Sequence, residues 1–179
     1  KFSLDFFSFV KILEKNKNLE KLKIKKIFFF NYENYKDLFL RKSINNVNCN
    51  NNLIHLALDY ISFEENFCNY EFFFEKILSQ LTNLENFSFI GNNLDRKICN
   101  INSLSLFIKE NKKLKSIFLD NNFCKKNSEV GNLFEEIVSS NIKELSFNDN
   151  IIDIFFLKNL LKKNEIKILH VKGIGNIDH

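Results

Sequence analysis

The eleven residues Leu114–Cys124, LKSIFLDNNFC, decide how this chain is read. Leu114, Ile117 and Leu119 occupy the first, fourth and sixth positions, Asn122 the ninth and Cys124 the eleventh. Apolar residues at every second position suit a short strand with one face buried. The same spacing returns along the chain. It reads Leu19, Leu22, Ile24, Ile27, then Leu53, Leu56, Leu58, Ile61, then Leu84, Phe87, Phe89, Asn92. After Leu114 come Ile142, Leu145, Phe147, Asn150 and Ile166, Leu169, Val171, Ile174. Successive starts lie 34, 31, 30, 28 and 24 residues apart. The eleventh position is again core-forming in Leu94 and Ile152, so Cys124 reads as a core residue and not a nucleophile.

Between these strands the apolar residues shift to helical spacing. Phe6, Phe9, Val10 and Leu13 predict a first helix, and Tyr35, Leu38 and Phe39 a second. Phe67, Tyr70, Phe74, Ile77, Leu78 and Leu81 share one face; so do Leu104, Phe107 and Ile108. Val130, Leu133, Phe134, Ile137 and Val138 follow, then Leu157, Leu160 and Leu161. Ser62 with Glu65 has the spacing of a capping box at a helix start. Lys1 itself reads as lying inside the first helix. An all-helical stack would show these helices but not the period-two pattern after each of them.

Six ordered copies of this pattern resemble the leucine-rich repeat, whose strand segment reads LxxLxLxxN/CxL. Helices of this length resemble the ribonuclease-inhibitor-like branch. The resemblance spans nearly the whole chain. It implies an α/β solenoid of about six repeats, 1–179, with a curved parallel sheet on the concave side and helices on the convex side. Ile27, Ile61 and Ile174 stand where the family has Asn. The Asn side chain is expected to bond backbone of the turn after its strand, so a looser turn is expected at those three copies. Asn45–Asn52, NNVNCNNN, reads as an inserted loop.

Composition narrows the rest. Phe occurs 22 times, Pro, Met and Trp never, Ala once as Ala57, and Arg only as Arg41 and Arg96. The excess of Asn, Lys, Ile and Phe points to an AT-rich genome, so single Asn and Lys residues carry little weight. The missing Met predicts a fragment or processed form of a longer protein. Charge is +4 with a sequence pI near 8.8, too little to argue for nucleic acid. No apolar run reaches the length of a membrane span. FSLDFFSFVKIL, interrupted by Asp5, does not read as a signal peptide. Cys49, Cys68, Cys99 and Cys124 have no metal-ligand spacing and read as reduced thiols of an intracellular, cytoplasmic or nuclear protein. Secretion stays open, because a leader could have stood upstream of Lys1.

Function is then expected on strand residues facing away from the core, at the third, fifth and seventh positions with the eighth nearby. The partner-binding candidates are Lys21, Lys23, Lys25, His55, Asp59, Tyr60, Ile90, Phe118, Asp120, Glu144 and His170. Their charge runs from basic through weakly polar to acidic and back toward basic. Tyr60, Ile90 and Phe118 supply apolar anchors in its middle. The resemblance implies a protein partner on the concave face and no catalysis, cofactor or metal. Its alternatives are a Ran-type GTPase-activating protein, for which Arg96 in NNLDRK is the candidate arginine, or the receptor or effector part of a larger protein. Against catalysis, His55, His170 and His179 form no triad, and no HExxH or P-loop occurs. Gly91, Gly131, Gly173 and Gly175 make no phosphate cradle. The Lys21–Lys26 cluster is one edge of a mixed surface, which argues against nucleic acid.

Overall fold

A computed structural model describes residues 2–30, 52–63, 73–92, 101–123, 129–152, 154–162 and 165–173. The expected helix at Tyr35–Phe39, residues 45–51 of the Asn-rich loop, Glu65, Phe67, Tyr70, Leu94, Arg96, all four cysteines and Ile174 lie outside them.

The chain is α/β. Its main sheet is six-stranded and parallel, built from β2 (Lys21–Lys25), β4 (His55–Asp59), β6 (Asn86–Ser88), β7 (Ser116–Phe118), β8 (Glu144–Ser146) and β9 (Ile168–His170), in that order across the sheet. Every neighbour pairs with the next strand along this series, which needs a crossover between them. The register joins equivalent positions: Lys21 with His55, His55 with Asn86, Asn86 with Ser116, Ser116 with Glu144, and Glu144 with Ile168. Leu56, Phe87, Ile117 and Leu145 therefore form one buried row, and Leu58, Phe89, Leu119 and Phe147 a second.

Helix α1 (Phe6–Lys15) sets Phe9 against Phe29 and Phe73, and helices α2 (Ile101–Glu110), α3 (Glu129–Ser139) and α4 (Ile154–Lys162) pack against those rows. Phe107 of α2 lies 4.9 Å, ring to ring, from Phe87, and Phe134 of α3 lies 5.6 Å from Phe147. The expected buried faces of α2 and α3 are observed, save that Val138 is half-buried. On α4 the buried pair is Phe156 and Leu160, with Leu157 half-covered, while Leu161 is 71% exposed. Leu161 was expected on the apolar face, but residues four apart share a helix face and Phe156 takes that row. Between β5 (Ser62–Phe63) and β6, the chain forms a π-helical turn, Phe73–Ile77, and then a 3-10 turn, Leu78–Gln80. Phe74, Ile77, Leu78 and Leu81 are buried there as one apolar face, but on π-helical and 3-10 turns in place of the expected amphipathic helix.

Three expectations are corrected at the N-terminal end. Phe2–Asp5 is a strand, β1, and the first helix starts only at Phe6. β1, β3 (Ile27–Phe30) and β5 form a second parallel sheet in the order β1-β3-β5. Ser62 is consequently a strand residue paired with Phe28, and not a helix cap. Nor are Ile27 and Ile61 followed by loose turns: β3 starts at Ile27, and the chain after Ile61 pairs with it as β5. Pairing of Phe28 with Ser62 and of Phe29 with Phe63 orders the chain after each Ile.

Asn92, Asn122 and Asn150 are buried and act across to the preceding copy. Asn92 Oδ1 accepts the Ile61 N–H at 2.6 Å, and Asn92 Nδ2 donates to the Leu58 carbonyl at 2.8 Å. Asn122 repeats this on the Asn92 N–H and the Phe89 carbonyl. Asn150 accepts from the N–H groups of Asn122 and Phe123, each at 2.8 Å, and donates to the Leu119 carbonyl at 2.9 Å. The sequence expectation had each Asn serving its own turn. Asn150 also serves its own turn, donating to the Asn148 carbonyl at 3.2 Å.

The eighth position of every copy has a left-handed backbone: Lys26, Tyr60, Gly91, Asn121, Asp149 and Gly173 lie between φ +54° and +67°. Each of the first five donates its N–H to the carbonyl of the seventh residue in the next copy. These acceptors are Asp59, Ile90, Asp120, Asn148 and Lys172.

Candidate binding face

Pairing in register sets the third-position side chains in one row across the outer face of the sheet and the fifth-position side chains in another. The fifth-position row runs Lys23, Ala57, Ser88, Phe118, Ser146, His170. Its size profile explains the relief. Ala57 and Ser88 are small and lie between long Lys23 and bulky Phe118. The result is a groove of about 280 Å³ whose walls include Lys21, Lys23, His55, Ala57, Ser88 and Phe118. It crosses β2, β4, β6 and β7.

The eleven candidates do not all meet there. Lys21, Lys23, His55 and Phe118 line the groove. Lys25 lies beyond it and pairs with Asp59, Nζ to Oδ2 at 3.3 Å. Tyr60 is 46% exposed at the bend after β4, and its ring fills the space over Gly91. Ile90 is half-buried. Glu144 and His170 lie nearer the other edge, with His170 Nε2 3.8 Å from Glu144 Oε1.

The acidic stretch of the expected charge map is altered. Asp59, expected as an exposed candidate, is only 2% exposed. Its Oδ1 accepts the Ser88 hydroxyl at 2.6 Å, and Lys25 covers the other oxygen. Asp120 Oδ1 accepts the Ser146 hydroxyl at 2.6 Å and the Asn148 N–H at 2.8 Å. Glu144 Oε2 accepts the Ser116 hydroxyl at 2.9 Å. The three carboxylates are thus engaged with neighbouring strands. Lys21 and Lys23 are exposed and have no ion-pair partner among the described residues. The face is basic at β2, where Asp59 is buried, while Asp120 and Glu144 stay half-exposed toward the far strands.

This engagement had a signal in the sequence. An acid at the seventh position is followed by Ser at the fifth position of the next copy in Asp59–Ser88 and again in Asp120–Ser146. A second feature escaped the sequence reading. At the other end of the strands a polar groove of about 530 Å³ is lined by Asn18, Glu20, Asn52, Asn83, Glu85 and Lys113, with Ile54. Asn18, Asn52 and Asn83 each precede the first Leu of a copy, which was the available clue. Glu85 beside this groove has its carboxyl held below the ordinary value of 4.5, first by the hydrogen bond from Lys115.

No protein-family model matches the chain, and no curated protein matches it. Among the described residues, no helix is long and apolar enough to cross a membrane, and no three His, Cys, Asp or Glu side chains gather to hold a metal ion.

Proposed function

We propose that the chain is a leucine-rich-repeat array of the ribonuclease-inhibitor-like kind, with its parallel strands on a concave side, and that it is a non-enzymatic module binding a protein partner on that side. Support for the fold reading comes from the six strands joined at equivalent positions, the left-handed eighth residue of every copy, and the asparagine bonds between copies. The groove between Lys23 and Phe118 is the one observation that carries the binding reading. A concave, partly apolar surface with an aromatic wall and a polar rim suits a binding hot spot.

Peptide display tests it. Random peptides selected on the intact chain are re-measured on Ala57→Trp, which fills the groove floor, and on Phe118→Ala. Selected binders are expected to weaken at least tenfold on both variants, while thermal melting shows the variants folded. Binders that ignore both substitutions overturn the proposal.

A further inference from the structure

Resting on that reading, we infer that the groove takes an extended acidic segment of the partner, with carboxylates over Lys21 and Lys23 and an apolar side chain against Phe118. The charge argument is local. Asp59 is buried and paired with Lys25, while Asp120, just after β7, and Glu144, on β8, lie three or more strands away from Lys21 and Lys23. Lys21 and Lys23 point out of the edge strand β2 with no described partner. A partner segment therefore meets, at one end of the groove, two cations with no ion-pair partner among the described residues.

The apolar argument is steric. Ala57 gives the floor no polar group, and Phe118 gives the far wall a ring that is half-buried in the chain alone. Covering it removes apolar surface from water. Distance ties the two ends together. From β2 to β7 there are three inter-strand steps of about 4.8 Å, or about 14 Å, which an extended chain crosses in about four residues. The segment is then two carboxylates followed, about four residues on, by a large apolar side chain.

Three fluorescein-labelled hexapeptides test this by anisotropy: Glu-Glu-Ser-Ser-Leu-Phe, Lys-Lys-Ser-Ser-Leu-Phe, and the compressed Glu-Glu-Leu-Phe-Ser-Ser. The first is expected to bind best, to weaken as salt rises, and to weaken about tenfold on the double variant Lys21→Glu, Lys23→Glu. That double variant should in turn prefer the lysine peptide, an outcome a misfolded variant cannot produce. Equal binding of the glutamate and lysine peptides, or no binding of either, overturns the inference. Display binders that lack acidic residues yet fail on Ala57→Trp would overturn it while leaving the binding proposal standing. Binders indifferent to Ala57→Trp and Phe118→Ala would remove both.

Discussion

The side-chain oxygen of Asn122 accepts the backbone N–H of Asn92 at 2.8 Å, and both residues are buried. One amide thus serves the bend of the copy before it, where water does not reach. Asn122→Ala leaves that N–H and the Phe89 carbonyl without their bonds. Each buried group that loses its bond costs roughly 1–3 kcal/mol, so a loss of about 2–6 kcal/mol is expected in urea denaturation. A loss below about 0.5 kcal/mol, the range of an ordinary surface substitution, would mean the asparagine bonds do not hold the copies together.

The bend itself gives a second prediction. Gly91 has φ +67°, and a Cβ there would run into the Tyr60 ring. Gly91→Ala is expected to cost about 1–2 kcal/mol from the left-handed backbone, with more from the ring. Adding Tyr60→Ala should recover the ring's part and leave the backbone's, a coupling that a double-mutant cycle measures. Lys26 has the same backbone at φ +55° and is exposed. Lys26→Gly should therefore stabilise the chain by about 0.5–1 kcal/mol.

Aromatic packing sets the third. Phe134 stacks on Phe156 with centroids 3.7 Å apart and meets Phe147 edge-on. Phe134→Ala is expected to cost about 3–5 kcal/mol through the cavity it leaves. Phe155, one residue from Phe156, is 66% exposed, and Phe155→Ser should stay within about 0.5 kcal/mol. Thermal melts of the two variants compare a buried ring of α3 with an exposed ring of α4.

The fourth concerns acid. Lys115 Nζ lies 2.8 Å from Glu85 Oε2 and holds that carboxyl below its ordinary value, with the charges of His55 and Lys113 acting in the same direction. A folded-state value below the unfolded one favours the folded chain at pH above the ordinary carboxylate value. That contribution fades as pH falls through the lowered folded value. In an NMR titration Glu85 should titrate below a model peptide, and Lys115→Met should move it upward. No movement in that variant would remove Lys115 as the cause.

By itself the sequence determined the strand register and most of the core. Apolar residues at the first, fourth and sixth positions have one low-energy arrangement on a parallel sheet, so aligned copies became hydrogen-bonded neighbours. Helix faces were legible for the same reason, through spacing near 3.6. Only the tertiary structure decided what lies between copies. A ninth-position asparagine bonds to the previous copy, and an Asp at the seventh position meets a Ser on the next strand; such contacts join residues some thirty apart and have no local period. The second sheet of β1, β3 and β5 was hidden likewise, because Ile27–Phe30 and Phe2–Asp5 become strands only by pairing with each other. The groove follows from the row Lys23, Ala57, Ser88, Phe118, whose relief exists only once parallel pairing sets those four side chains abreast.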